Sequence, residues 1–342
     1  MRIPGIGKLK RLLCRGIAPF QSRVIILLYH RVFDASSDPQ LLCVKPKHFW
    51  EHLEHLRRYY WVISLRELGD ALKEKRLPRR AVALTFDDGY VDNLLNAKPL
   101  LERYEMPATV FVATDYLGRM FWWDELEQLL LQGSKFPDRL NITIDGKSYK
   151  WYLGKEYRKV NEEPWSMECF GNPTPRHRAY RDLYRLLRPL DRDKREAVLS
   201  QLCAQMGVRY ENQQKEFRAM SSREMTQLAK GGLIEIGSHT MTHPVLSALP
   251  LEEQLKEIRE SKRTLEEILG HPVITFSYPY GGRKDIPKDA VELVQEAGYS
   301  LACANFPGSV TRWTNPFILP RYLVRDWDGD KFAQMLRNWF YE

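Results

Sequence analysis

The sequence contains few cysteines, and none of them is paired in spacing. Its five cysteines are Cys14, Cys43, Cys169, Cys203 and Cys303, an odd number scattered over 342 residues. This distribution matches neither a disulfide framework nor a zinc knuckle. We therefore expect reduced thiols in a cytoplasmic protein.

Long apolar runs are also missing. Residues 1–15 do not contain the run of about 7 to 15 apolar residues that a secretory signal requires, and no stretch approaches the ~18 apolar residues of a membrane span. Residues 8–15 instead mix cations with Leu9, Leu12 and Leu13. We interpret residues 1–22 as a basic lead-in, either solvated and packed or, through residues 1–15, in peripheral contact with the inner face of a membrane.

Signatures of nucleic-acid binding, internal repeats and low-complexity tracts are absent as well. The net charge of +8 would suit nucleic acid, phospholipid headgroups or an anionic glycan. However, the arginines between positions 176 and 188 alternate with acids and apolar residues at helical spacing, which is typical of a solvated helix face. We expect no nucleic-acid partner and infer no obligate protein partner.

Apolar runs alternate with amphipathic stretches, a pattern that predicts an α/β fold. Strands are expected near residues 24–29, 81–86, 108–113, 233–238, 274–278, 299–303 and 318–324. Helices are expected near 47–57, 65–75, 92–104, 221–230, 251–269, 287–297 and 330–340. A single barrel domain over 23–342 accommodates all of these elements.

Two short motifs carry the chemistry. Thr85-Phe86-Asp87-Asp88-Gly89 follows one apolar run, and His239-Thr240-Met241-Thr242-His243 follows another. Asp-Asp-Gly by itself is typical of a turn, and two histidines four residues apart by themselves indicate a shared helix face. Together, one Asp and two His at strand ends supply the three ligands of a catalytic metal, and the second Asp is left to act as a base. Chemistry alone does not decide which Asp takes which role.

These motifs resemble those of the polysaccharide deacetylases of carbohydrate esterase family 4, the NodB-homology domains. The resemblance implies Asp87 as catalytic base, and Asp88, His239 and His243 as ligands of Zn²⁺ or another divalent metal. It also implies a distorted (β/α)7-type barrel, here with a large mixed insertion, with the metal at the carboxyl end of the strands.

The third motif of the family, Arg-x-Pro-Tyr/Phe, is altered. Ser277 stands where the family has the arginine that pairs with the catalytic base, in Ser277-Tyr278-Pro279-Tyr280. Arg321, which follows another apolar run, is our candidate substitute. We group it with Tyr280, whose backbone is expected to line the oxyanion side of the site.

The general acid is also relocated. Many family members carry a late Leu-x-His, but no histidine follows His271 here. The segment from Val24 to His30 resembles the early Tyr-His of the permuted poly-N-acetylglucosamine deacetylase-like subgroup, which implies His30 as general acid. The alternative is a histidine whose ring is satisfied by a backbone carbonyl at a strand terminus.

An interval of about 105 residues separates two barrel elements, far more than a βα loop needs. We interpret residues 115–219 as an inserted subdomain, with a β-like piece near 140–147 and helices near 177–188 and 192–206. Trp122 and Trp123 near its start are candidate floors of a glycan groove. The alternative is that they pack the insertion onto the barrel.

These observations predict a metal-dependent hydrolase that removes N-acyl groups from amino sugars in a polysaccharide or a lipid-linked precursor. The same site would also suit an O-acetyl esterase or a deformylase. Because the family arginine is missing at Ser277, a glycan-binding module without turnover is a further alternative.

Overall fold

The strands are short and mostly parallel. The computed structural model describes residues 22–132, 136–154, 165–207 and 217–341. The strands of these residues are β1 (Val24–Tyr29), β2 (Arg31–Val32), β3 (Cys43–Val44), β4 (Trp61–Val62), β5 (Ala81–Phe86), β6 (Ala108–Val112), β7 (Arg139–Ile144), β8 (Lys147–Tyr152), β9 (Ile234–Ser238), β10 (Thr275–Ser277), β11 (Leu301–Cys303) and β12 (Tyr322–Leu323).

Seven strands form a curled path in the order β11-β10-β9-β6-β5-β1-β12, and β4 pairs with β5 beside it. All of these pairings are parallel. The two ends of the path approach each other, because a parallel bridge joins Cys303 of β11 to Leu319, just before β12. The predicted distorted barrel and its seven strands are therefore confirmed; β4 was not predicted, since two residues are too few to show a pattern.

Helices connect the strands. They are α1 (Pro46–Tyr59), α2 (Leu65–Lys73), α3 (Lys98–Tyr104), α4 (Trp122–Glu127), α5 (Pro175–Leu187), α6 (Arg192–Met206), α7 (Ser222–Ala229), α8 (Leu251–Leu269), α9 (Lys288–Glu296) and α10 (Gly329–Tyr341). The helix predicted over 92–104 differs in part, because residues Asn93–Ala97 form a π-helical turn before α3 begins. Such turns are rare and often lie beside functional sites.

Successive side chains of the central strands point to opposite faces of the sheet, and both faces are buried. On β5, Val82 and Leu84 pack outward among the helices, whereas Ala81 and Ala83 join an inner cluster with Leu301 of β11. Strands β5 and β11 lie far apart along the sheet, so their side chains meet only inside the curl. The next residues with this inner orientation are Thr85 and Asp87, which places Asp87 at the carboxyl end of the barrel interior.

The segment between β6 and α7 builds its own apolar core. Helices α4, α5 and α6 bury residues such as Leu126, Leu183 and Leu202 in one cluster, which also includes Leu140 of the β7–β8 hairpin. The hairpin turns at Asp145-Gly146, so the predicted β-like piece near 140–147 contains most of β7, the turn and the first residue of β8. The division into a lead-in, a barrel domain and an inserted subdomain stays a prediction, and residues 1–21 of the lead-in lie outside the described residues. Across the parts of the chain that the structure describes, no helix combines the length and apolar character needed to span a bilayer.

Candidate metal centre

Strand β5 delivers two adjacent carboxylates to one place. Asp87 continues the inward alternation of the strand, and its neighbour would normally point to the opposite face. The chain avoids this because Asp88 has a left-handed backbone, with φ at 74°, followed by Gly89 at 72°. Asp87 and Asp88 are consequently both buried, with 3% and 2% of their surface exposed.

Strand β9 ends one residue before His239, and the following loop returns to place His243 beside it. The Nε2 atoms of His239 and His243 lie 3.6 and 3.3 Å from Oδ1 of Asp88. Ligand atoms of these three residues all lie within 4.8 Å of one another, and all three side chains are buried. The structure therefore brings together the three residues predicted as metal ligands.

The donor atoms of this cluster fit a divalent cation. Nδ1 of His239 lies 2.7 Å from the carbonyl oxygen of Ser277, so this nitrogen carries the proton and Nε2 keeps its lone pair. Burial lowers the pKa of His239 to about 4 and that of His243 to about 3, which keeps both rings neutral near neutral pH. Oδ1 of Asp88 has no hydrogen-bond donor among the described residues. The lone pair of His239 Nε2 and Oδ1 of Asp88 therefore face each other without a proton between them, and a cation such as Zn²⁺ would relieve their repulsion.

Asp87 lies beside the cluster in an ion pair with Arg321. Nη1 and Nη2 of Arg321 donate to Oδ1 and Oδ2 of Asp87 at 2.8 and 2.7 Å. The Ser277 hydroxyl donates to Oδ2 at 3.2 Å. Burial would raise the pKa of Asp87, but the charge and hydrogen bonds of Arg321 hold that pKa well below its usual range. Asp87 is therefore ionised and oriented.

Arg321 thus occupies the place expected of the arginine that Ser277 replaces, although it comes from a different part of the barrel. Its Nε donates to the carbonyl of Ala304, Nη1 also contacts Thr85 Oγ1, and Nη2 also contacts Ser277 Oγ. These contacts and the pair with Asp87 engage all five N–H groups of the guanidinium. Our grouping of Arg321 with the substrate-binding and oxyanion residues is corrected by this geometry, because no donor is left for a substrate.

His30 follows β1, next to β5 in the sheet. The main-chain N–H of Asp87 donates to the carbonyl of Tyr29, which ties the two strand ends together. Burial lowers the pKa of the His30 ring, and the charges of Asp88 and Asp87 oppose that shift, so the ring lies within the field of the carboxylates. Nδ1 of His30 is buried without a hydrogen-bond partner among the described residues. The alternative of a ring satisfied by a carbonyl is therefore not met at this nitrogen.

Aromatic side chains cover His243. The rings of Trp123 and Tyr280 lie 4.9 and 4.8 Å from the His243 ring, both edge-on. Trp123 Nε1 donates to the hydroxyl of Tyr90, which donates to buried Asp124. With 2% and 4% exposed, Trp122 and Trp123 present no open face to a sugar in this structure. Their contacts match the alternative in which these rings pack the insertion onto the barrel.

Two buried charged residues at the site were missed from the sequence. Glu257 of α8 accepts hydrogen bonds from the loop between the two histidines, and Arg195 of α6 donates to the same loop. A signal was present for each. Arg195 lies on the same helical stripe as Val198, Leu199 and Leu202, and Glu257 directly precedes Ile258 on the inner face of α8. A charged residue on an apolar stripe needs a buried partner.

Comparison with known proteins points to one family. A family model described as polysaccharide deacetylase matches residues 74–138 and 198–302, on either side of most of the insertion. The poly-beta-1,6-N-acetyl-D-glucosamine N-deacetylase of Staphylococcus aureus (strain MRSA252) is 27% identical over 340 aligned residues, covering 93% of this chain and 83% of that protein. The Escherichia coli (strain K12) protein of the same name is 31% identical over 86 residues, 25% of this chain and 13% of that protein.

Solved structures agree on the fold. IcaB from Ammonifex degensii superposes with a TM-score of 0.58 at 18% identity, covering 94% of this chain and 98% of that one. The Streptococcus pyogenes deacetylase PplD gives a TM-score of 0.57 at 18% identity, covering 92% and 99%. At this identity the superpositions support the fold alone.

Proposed function

Because this chain belongs to the polysaccharide deacetylase family, we propose that it is a metal-dependent hydrolase that removes N-acetyl groups from amino sugars in a polysaccharide or a lipid-linked glycan precursor. The observation that carries the proposal is the convergence of Asp88, His239 and His243 beside the ion pair of Asp87 and Arg321. The extent of the likeness to the S. aureus protein favours N-acetylglucosamine polymers as the substrate class.

Asp88, His239 and His243 would hold the cation. When bound, a divalent cation would lower the pKa of a water molecule and polarise the amide carbonyl. The protein's own contribution is a preformed set of three donors, in which Ser277 fixes the tautomer of His239 and burial keeps both rings neutral.

Asp87 would accept the proton of the attacking water. The bond from water oxygen to acyl carbon forms, and the bond from that carbon to nitrogen then breaks. Arg321 keeps Asp87 ionised and holds its carboxylate in one orientation, so the base is present at neutral pH.

The leaving amine must take up a proton before it departs. His30 would supply it, since the charges of Asp88 and Asp87 favour its protonated form against the burial that lowers its pKa, and its Nδ1 has no partner among the described residues. The main chain at Tyr280, whose ring packs edge-on against His243, is our candidate donor to the developing oxyanion. The products are acetate and a free amino sugar.

This geometry removes the reason for the glycan-binding alternative. That alternative rested on the missing arginine at Ser277, and Arg321 supplies a bidentate partner to Asp87. A site built only for binding would have no need of an oriented, ionised carboxylate beside the donor cluster. We therefore place catalysis first.

The test is hydrolysis of β-1,6-linked N-acetylglucosamine oligomers by the purified protein with added Zn²⁺, followed as free amines and released acetate. We expect turnover by the wild type and none by Asp87→Asn. Acetylated xylan and an N-formyl amino sugar serve as parallel substrates. If only one of these is hydrolysed, the esterase or deformylase alternative replaces the proposal; binding of oligomers without any hydrolysis favours the binding module.

A cytoplasmic location, with peripheral membrane contact through residues 1–15, is also proposed. Its support is the basic, Leu-containing sequence of that segment. Fractionation of cells that express the full chain and a chain lacking residues 1–15 tests it. Equal membrane association of the two chains would remove the proposed contact.

A further inference from the structure

The loop that carries the second histidine, residues 240–243, adopts a costly backbone conformation. Thr240 and His243 have φ angles of 66° and 51°, in the left-handed region that non-glycine residues avoid. Each such residue costs on the order of 1 to 3 kcal/mol and persists only when its surroundings enforce it. The loop therefore needs external support to keep His243 beside Asp88.

Glu257 supports this loop from the barrel side. Its Oε2 accepts hydrogen bonds from the main-chain N–H groups of Met241 and Thr242, at 2.8 and 2.9 Å. Its Oε1 accepts from the Thr242 hydroxyl at 2.6 Å. Glu257 is 8% exposed, so these bonds form away from solvent.

Arg195 also supports the loop, and it belongs to the inserted segment. Its Nη1 donates to the carbonyl oxygens of Thr242 and His243, at 3.4 and 3.3 Å. Its Nη2 and Nε donate to the carbonyls of Arg188 and Leu187, at 2.8 and 3.1 Å. With 2% exposed, one guanidinium thus links the end of α5 to the loop.

We propose that Glu257 and Arg195 are positioning residues that together hold His243 in its ligand position, so that the insertion contributes to the metal centre. The inference rests on the proposed function of Asp88, His239 and His243 as ligands. Glu257 binds the N–H of Thr242 and Arg195 binds its carbonyl, so the residue directly before His243 is fixed through both main-chain groups. Neither side chain belongs to the donor cluster.

The test compares Arg195→Met with Arg181→Met in the full chain. Arg181 also lies in the inserted segment and also donates to main-chain carbonyls, those of Ser166, Cys169 and Gly171, but none of these belongs to the 240–243 loop. The dissociation constant of Zn²⁺ alone is measured by competition with a chelating dye. We expect Arg195→Met to weaken zinc binding about 10- to 100-fold, the usual cost of losing support behind a ligand, and Arg181→Met to leave it unchanged.

Two further variants refine the result. Arg195→Lys keeps the charge but offers donors on a single nitrogen, so it should recover only part of the affinity. Glu257→Gln removes the charge behind these hydrogen bonds and leaves a single acceptor oxygen, so it should weaken zinc binding as well. Urea unfolding of the metal-free proteins separates loss of stability from loss of affinity. If Arg195→Met does not fold, Arg195→Lys and Arg181→Lys provide the same comparison.

The outcomes are distinct. Equal zinc affinity in the wild type and Arg195→Met, or equal weakening in Arg195→Met and Arg181→Met, overturns the positioning role while leaving the metal centre in place. A wild-type protein that binds no zinc overturns the proposed metal centre itself, and the positioning role with it.

Discussion

Arg321 and Asp87, 234 positions apart in the sequence, form a buried bidentate ion pair at the carboxyl end of the barrel. Side-chain exposures of 0% and 4% mean that water cannot screen this pair. Only β1 separates β5 from β12 in the sheet. The buried side chain of Arg321, which directly precedes β12, therefore reaches Asp87 at the carboxyl end of β5. Ser277 is small enough to lie beside the guanidinium and add its own hydrogen bond to Asp87.

This pairing predicts the behaviour of Arg321→Lys. Lysine keeps the charge but cannot form the two parallel hydrogen bonds. The pKa of Asp87 should therefore rise, and the orientation of its carboxylate should no longer be fixed. We expect the acidic limb of the kcat/KM profile to move to higher pH and kcat to fall on the order of 10²-fold.

The control for this change is Arg325→Lys, since Arg325 contacts the carbonyl of Leu41 and the carboxylate of Glu168, away from the donor cluster. Its pH profile should match that of the wild type. A kcat and an acidic limb of Arg321→Lys that both match those of the wild type would show that the bidentate pair does not support Asp87.

Sequence patterns predicted the barrel well, because the periodicity of its elements follows directly from burial. Residues 81–86 and 251–269 were expected as a strand and a helix and form β5 and α8 with those bounds. The donor cluster was also predictable, since Asp88 and His239 to His243 lie in two contiguous motifs.

What the sequence could not supply is the long-range pairing of buried charges. No local sequence pattern around Glu257 or Arg195 indicates that both side chains bind the 240–243 loop. The exposure of Trp122 could not be predicted either, because a large ring is equally compatible with a surface groove and with a core. Only the packing of α4 against α5 and α6 decides it.

Metal content should distinguish the roles of Asp87 and Asp88. Asp88→Ala and His243→Ala each remove one of three donors and should lose the metal, whereas Asp87→Asn should retain it and lose turnover. Metal analysis of the purified proteins after exposure to Zn²⁺ and gel filtration measures this. Equal metal in all four proteins, wild type included, would contradict the ligand assignment.

The two histidines of the donor cluster should make the metal-free protein less stable as the solution is acidified. Burial lowers the pKa of His239 to about 4 and of His243 to about 3, so between these values and the ordinary pKa of about 6.5 the unfolded chain binds protons that the folded chain does not. The contribution of each of these histidines to the free energy of unfolding therefore rises with pH in this window and falls on acidification, by up to about 1.4 kcal/mol per pH unit.

Urea unfolding of the chelator-treated protein between about pH 7 and about pH 5 measures this slope. His243→Gln should flatten it, because glutamine does not titrate. Exposed His271→Gln serves as the matched control and should leave the slope unchanged. A slope that His243→Gln leaves intact would mean that the acid sensitivity arises elsewhere.

Gly89→Ala should damage the site more than a similar change at a glycine with room around it. Gly89 has φ at +72°, and a Cβ there would lie 2.9 Å from Cγ2 of Val112, on the neighbouring strand β6. Gly118 has nearly the same angle, +75°, but a Cβ there would meet no atom within 4 Å. Both substitutions carry the backbone strain of about 1 kcal/mol or more, and only Gly89→Ala must also displace a buried side chain.

Because Gly89 directly follows Asp88, that displacement should reach the ligand. Zinc affinity should therefore fall in Gly89→Ala, while Gly118→Ala retains it. Unfolding free energies and zinc dissociation constants for the pair distinguish strain from displacement, and equal values for the two variants would show that the contact with Val112 does not hold Asp88 in place.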